Sequence, residues 1–540
     1  MTGRDWTKIG AALLLACVTA CSDATSPNGA LECTTPAASD GHEPPCNPAL
    51  AQSPWATSHR GSYAQASSPL PAPAPGDAIA TTRTTVEGVP IVVDFSGPYP
   101  DGGRALWTSV VNTPDNGGVY KIDVATGDVI DASFSPSDNA GSITGAYNQL
   151  DRDGHLIVGR EQALDVLGDE APGEHFSKIA RLARFTLPER ALCRPSDKLV
   201  GIGMTFDGFV AFATEQGVVG VVPRDPARMS DGELRSLSLN GDRCASDGAL
   251  EEVSNSIATD EQGGIYVVTS GALYQVLWDG HDLRVGWRVE YESELAGGVR
   301  LGEGSGSTPT VMGTSSGDDR FVVITDGRTL MHLVLVWRDA VPADFAAIAP
   351  GKDRRIACEV PVTFGDPVAT SSNSEQSVLV RGYASVVVNN KLANEDELAK
   401  LPPDVRRIQA AISGGDPAVA PRGLERIDWD PVTRTCRSVW ANRTVSIPNG
   451  IPSMSTATNL VYGIGQHDGV WGLEGVDFAT GEARLWAPTS SETRHNSFYA
   501  ATTVGPDASV WTGTLGGVDA FRTADAAGAA GSRVAEAGAP

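Results

Sequence analysis

The feature that most constrains this chain is a short meander, written many times over. Its clearest copy is Val253 to Val276, VSNSIATDEQGGIYVVTSGALYQV. An Asn-Ser lead-in precedes a short apolar strand at Ile257 and Ala258. An acidic glycine turn, Asp260 to Gly264, leads to a second strand, Ile265 to Thr269, and a Ser-Gly turn gives a third, Leu273 to Val276. Apolar runs bounded by Gly, Asn, Asp and Ser are strand and turn chemistry. Variants recur from about Trp107 to Phe521, among them NQLDRDGHLIVG at Asn148 to Gly159 and GMTFDGFVAFATEQGVVGVV at Gly203 to Val222.

A meander of this kind exposes one apolar face that it cannot cover alone. Copies spaced by about 40 to 65 residues lie within or above the range of propeller blades. Radial stacking about an axis covers every face and leaves only short edges. The sequence therefore predicts an all-β propeller over residues 83–523, with seven blades, or eight as the alternative. The last unit ends in a strand pair and the first begins with an outer-strand pattern, so the two ends should share one blade. Two stacked β-sandwiches are the competing architecture, but turn signals continue evenly with no linker in the middle. Asn394 to Ser413, NEDELAKLPPDVRRIQAAIS, breaks the pattern. Its Asn cap, early acids and Val405/Ile408/Ile412 spacing predict a helical insertion between strands, over about 394–413 and interrupted at Pro402-Pro403. Residues 524–540 are Ala/Gly-rich and are expected to be a disordered tail.

The charge balance excludes one class of partner. Lys plus Arg is 41 against 66 Asp plus Glu, a net charge of -25 with no basic cluster, so phosphate-backbone binding to nucleic acid is disfavoured. The N-terminus has the form of a targeting segment. Arg4 and Lys8 precede an apolar run, Ile9 to Ala16, too short to span a bilayer. Val18-Thr19-Ala20-Cys21 resembles the lipobox of bacterial lipoproteins. The resemblance implies a signal peptide over 1–20 and a lipidated Cys21, so that the chain is exported and anchored in the cell envelope, on the periplasmic face or the outer membrane. Residues 21–82, with LPAPAPG at Leu70 to Gly76, read as a Pro/Ala/Ser-rich tether. Six further cysteines fit an oxidising compartment. Their proximity in sequence suggests the pairs Cys33–Cys46, Cys193–Cys244 and Cys358–Cys436 out of fifteen possible pairings.

Lys121 to Asp128 (KIDVATGD) and Val476 to Trp486 (VDFATGEARLW) resemble the outer-strand motif of quinoprotein-like (PQQ-repeat) propellers. In that family a Thr-Gly turn precedes a docking tryptophan. Trp486 falls one residue late, the first copy has none, and no adjacent cysteine pair is present. The resemblance thus implies the superfold more than quinone chemistry.

Polar lead-ins precede several strands: Asn255-Ser256, Asn373-Ser374-Glu375 and His495-Asn496-Ser497. They resemble those of gluconolactonase-like propellers, in which Asn and acidic residues from different blades hold calcium at the channel mouth. The resemblance implies Asn255, Asn373, Glu375 and Asn496 as ligands to Ca2+ and His495 as a general base. Oxygen donors of this kind suit calcium, and Asn-Ser pairs are also ordinary turn chemistry. The expected function is binding of a small-molecule ligand or an envelope protein by a tethered propeller. A calcium-assisted lactonase or esterase is the alternative, and a quinone-dependent dehydrogenase a lower one.

Overall fold

The computed structural model of the protein describes residues 40–524, apart from 112–115, 137–143, 247 and 295–301. They belong to a compact unit that spans Cys33–Pro540. Eight antiparallel sheets follow one another along the chain as eight blades. Blade 1 runs from Val89 to Pro136, blade 2 from Asn148 to Thr186, blade 3 from Leu199 to Ser238 and blade 4 from Ala258 to Glu290. Blade 5 runs from Thr310 to Pro361, blade 6 from Leu379 to Asn442 and blade 7 from Ser453 to Pro488. Blade 8 takes three strands from Thr502 to Thr523 and its fourth from Ile79–Thr85. That fourth strand pairs antiparallel with Gly517–Thr523, from Thr85 opposite Gly517 to Ile79 opposite Thr523. The two ends of the chain therefore close the ring in one blade, as the sequence predicts.

The blade count corrects the prediction of seven. Innermost strands are too short to show a period: Ala258–Thr259 has two residues, and Asn148–Leu150, Thr310–Met312 and Leu379–Arg381 have three each. Blade 1 also starts at Val89, ahead of the Trp107 unit. The strands themselves are as read: Gly264–Val268 pairs with Ala272–Trp278, and every residue of the former is buried.

Within the insertion, helix α1 spans Glu395–Leu398 and helix α2 spans Pro403–Ser413, with Pro at its first turn. Asn394 does not cap through its side chain. The expected apolar stripe faces outward: Val405 is 51% exposed, Ile408 55% and Ile412 39%. Cys193–Cys244 and Cys358–Cys436 are disulfides. Cys46 is disulfide-bonded as well, and Cys33 lies outside the described residues. Cys21 and 525–540 lie outside them too. No helix among the described residues is long and apolar enough to cross a membrane.

The largest departure from the sequence reading is the segment expected to be a tether. From residue 40 to 82 it is folded, and 47–68 runs along the innermost strands as an arm. Trp55 is fully buried and Tyr63 is 1% exposed. Arm carbonyls accept from the inner edges of six blades: Trp55 from Phe95, Ala56 from Leu150, Ser62 from Thr259, Tyr63 from Val311, Gln65 from Val380 and Ala66 from Met454, at 2.8 to 3.1 Å. Asn47 reaches blade 3 by donating to the Met204 carbonyl at 2.8 Å. Ser67–Ser68 adds a parallel strand to blade 7. Inner strand edges present N–H groups that need partners, and the arm supplies them. Small Ala and Ser side chains let a backbone fit so close to the axis.

Candidate functional site

Two mouths flank the arm. The upper one carries the lead-ins to the innermost strands, and their Asn and Ser side chains form a belt that stitches blade to blade. Asn255 Nδ2 donates to the Ser305 carbonyl at 3.0 Å, from the lead-in of blade 4 to that of blade 5. The Thr308 amide donates to Ser377 Oγ at 3.1 Å, on to blade 6. Gln376 Nε2 donates to the Asn449 carbonyl at 3.1 Å, and Asn449 Nδ2 donates to Asn496 Oδ1 at 2.8 Å, reaching blades 7 and 8. The insertion docks here as well. The Ala411 carbonyl near the C-terminus of α2 accepts from Asn449 Nδ2 at 2.8 Å and Asn496 Nδ2 at 2.7 Å.

The expected ligand set is thus spread along the belt. Asn496 is fully engaged, because Oδ1 also accepts the Phe498 amide at 3.0 Å. Glu375 is 8% exposed, and its amide donates to Asn390 Oδ1 at 2.7 Å. Asn373 is 4% exposed, and its Oδ1 has no hydrogen-bond partner. His495 turns away from this set toward the third strand of blade 8. Its Nδ1 lies 2.7 Å from Asp519 Oδ2, and Asp519 Oδ1 accepts from Arg83 at 2.7 Å. The array His495–Asp519–Arg83 ties the lead-in of blade 8 to the closing strand. It is the orientation of a clasp across the ring closure.

The arm occupies the centre of the ring. His59, 3% exposed, places Nε2 3.1 Å from Ser377 Oγ and 3.3 Å from Thr308 Oγ1, and Nδ1 has no partner. Burial pulls this imidazole down to a pKa of about 4, so it is neutral near pH 7. Tyr63 donates to Glu261 Oε2 at 2.5 Å and accepts from the buried Arg338 at 2.8 Å. Burial raises the Tyr63 phenol pKa, so it stays protonated. Arg60 pairs with Glu43 at 2.7 Å and donates to the Ser67 carbonyl, folding the arm back on itself. Arg60, Ala64 and Ala66 all have positive φ, at 82°, 55° and 56°. Side chains rarely adopt that region, at a cost of about 1–3 kcal/mol each, and such strain gathers at functional sites. The folded arm borders a half-open pocket with about 120 Å³ of room for water-sized molecules, lined by Glu43, Ser53, His59, Arg60, Gln65 and Ser67 among others.

On the lower side, Asp151, Asp153 and His155 bring ligand atoms close enough together to hold a metal ion. A guanidinium already bridges the carboxylates. Arg224 donates to Asp151 Oδ2 at 2.9 Å and also pairs with Asp153. Burial opposes ionisation of Asp151, but bonds from His155 and Arg224 outweigh it and hold the carboxyl below its usual range. The Asp151 side chain also caps its own turn, accepting the Asp153 and His155 amides at 3.0 and 2.9 Å.

No family model matches the chain. An uncharacterized protein of Archaeoglobus fulgidus is 45% identical over 483 residues, covering 89% of this chain and 90% of that one. The chain belongs to its family. Among solved structures, the family's fold is similar to the quinohemoprotein alcohol dehydrogenase ADHIIG of Pseudomonas putida HK5, with TM-score 0.53, 13% identity, and 88% of this chain and 80% of that one covered. It is also similar to a europium-containing methanol dehydrogenase, with TM-score 0.53, 12% identity, and 87% and 98% covered. At such identities the likeness shows the propeller fold alone.

The sequence reading missed two constellations in this family member. The arm was hidden by its Pro/Ala/Ser composition, yet Trp55 and Tyr63 are aromatics of a size that a solvated tether has no use for. The DRDGH turn carried the Asp151 cluster, but its partner Arg224 comes from the next blade and leaves no local trace.

Proposed function

We propose that this protein is an exported binding propeller without turnover, anchored in the cell envelope by lipid on Cys21. The observation that carries the reading is the arm. A dehydrogenase or lactonase built on this ring would keep its axis for a cofactor, a metal and a substrate. Here the arm 47–68 of the chain itself takes that space, its carbonyls bonded to the innermost strands of six blades and Trp55, His59 and Tyr63 buried. The residues present do not fit a flat quinone cofactor on the axis, and Asn496, one of the expected calcium ligands, has its amide group engaged within the protein.

The exposed Val405, Ile408 and Ile412 stripe of α2 supports a binding role. An apolar stripe held in solvent marks an interaction surface. Paired disulfides support an oxidising compartment. The test is a turnover assay on the purified protein with lactones, aryl esters and primary alcohols, supplied in turn with calcium and with pyrroloquinoline quinone plus calcium. No turnover above that of a heat-denatured control is expected. Saturable turnover that EDTA abolishes would overturn the reading in favour of a hydrolase or dehydrogenase.

A further inference from the structure

The lower side of blades 5 and 6 presents an apolar tip that folding does not call for. Residues 346–350, Ala-Ala-Ile-Ala-Pro, lie in the loop between the last two strands of blade 5, and all five are exposed. Pro431 and Val432 form the matching turn of blade 6, with Val432 90% exposed. Asp344 pairs with Arg434 at 3.0 Å, which sets the two tips side by side. Single apolar residues on a surface are ordinary. A run of five beside a second apolar tip has a use or is a fault.

The tips are held out from a stiff base. Phe345 is buried and packs on Trp337, with ring centroids 5.4 Å apart. Arg354 donates to the carbonyls of Pro342, Ala343 and Phe345 and so staples the loop. The Cys358–Cys436 disulfide joins the outer strands of the two blades. Folding Ile348 inward would break these contacts.

What covers the tips follows from where the described chain begins and from charge. Arg381 donates to Asp40 at 2.7 Å, at the end of the innermost strand of blade 6. That end carries the first turn of the blade, on the same side as the turn at Val432. Eighteen residues separate Asp40 from Cys21, a reach of at most roughly 65 Å. A lipid on Cys21 therefore draws the lower side of blade 6 toward the membrane. The chain carries a net charge of -25, yet the two loops balance, with Asp344, Asp353 and Asp430 against Lys352, Arg354 and Arg434. A neutral apolar tip approaches lipid headgroups without repulsion. Two tips are too few to hold a bilayer alone, but a tether makes their contact intramolecular, and stable anchoring takes two signals.

We propose that Ala346 to Pro350 and Val432 form a second membrane contact, dipping shallowly into the lipid interface beside the anchor. The assignment rests on the Cys21 anchor of the reading above and gives the propeller an orientation. The α2 stripe, on the upper side, then faces away from the bilayer.

The test uses the full lipidated protein, reconstituted into phosphatidylcholine vesicles. A nitrobenzoxadiazole probe is placed at Ile348→Cys or at Val432→Cys. Val368→Cys, 79% exposed in the upper loop before the innermost strand of blade 6, is the comparison. On vesicles the emission at 348 and 432 should rise severalfold and be quenched by spin-labelled lipid, while the probe at 368 stays as in water. Flotation with vesicles while all three probes remain hydrated overturns this assignment and leaves the anchor standing. A parent that does not float with vesicles removes the anchor, and the assignment with it. Shielding of 348 and 432 in detergent without lipid, growing with protein concentration, would give the tips to a second copy of the chain instead.

Discussion

Arg338 donates a hydrogen bond of 2.8 Å to the phenol oxygen of Tyr63 across 275 residues of chain, and both side chains are buried. The phenol passes its own proton toward Glu261. An arm residue thus bridges a blade 5 guanidinium and a blade 4 carboxylate. Tyr63→Phe removes both bonds and leaves Arg338 short of a partner. We expect a loss of about 2 kcal/mol, the cost of unpairing buried polar groups, read as a lower midpoint in urea. An unchanged midpoint would mean that the arm contributes nothing to the fold.

The neutral state of His59 makes stability depend on pH in a stated direction. Its folded pKa, about 4, lies below the ordinary 6.5 because burial penalises the charged form. Below pH 6.5 the unfolded chain takes up a proton that the folded one refuses. This contribution is therefore complete above pH 6.5 and drains away as the pH falls to 4, by on the order of 3 kcal/mol. Subtracting the curve of His59→Gln from that of the parent isolates it from the acids, whose shifts run both ways. Parallel curves between pH 7 and pH 4 would contradict the burial of this imidazole.

The disulfides Cys193–Cys244 and Cys358–Cys436 close loops of 51 and 78 residues. Chain entropy assigns about 4 kcal/mol to each. The double variant Cys358→Ala/Cys436→Ala should lose about 2–5 kcal/mol by denaturant melting. A loss well under 1 kcal/mol would place the stabilisation elsewhere.

Arg224 fills the position a cation would take beside Asp151 and Asp153. Millimolar calcium should therefore leave the melting temperature of the parent unchanged. Arg224→Gln leaves the carboxylates uncompensated, so that variant should be less stable without calcium and regain stability with it. A calcium shift in the parent would show that the ion displaces the guanidinium.

The ring and its closure were legible in the sequence, and the centre of the ring was not. Turns such as Asp260 to Gly264 declare themselves locally, because Asp260 Oδ1 accepts the Gln262 and Gly264 amides within the same few residues. Blade closure was legible for a similar reason, as an outer-strand pattern with no blade of its own. Trp55 and His59 act through contacts hundreds of residues away, which composition averaged over the segment conceals. The Val405/Ile408/Ile412 spacing gave the helix but not its orientation, because periodicity marks a stripe without saying what covers it, and the stripe is exposed. Ile408→Asp should accordingly change stability by no more than about 0.5 kcal/mol, as for other surface sites. A large loss on denaturant melting would mean that the stripe is packed.

Hydrogen exchange across residues 47–68 is the most direct measurement of the central claim. If the arm pairs with the inner strand edges, peptides containing Tyr63, Gln65 and Ala66 should retain deuterium protection for as long as the strands of blades 4 to 7. Complete exchange of those peptides at the earliest time point, with the blades still protected, would show a free tether and an open axis.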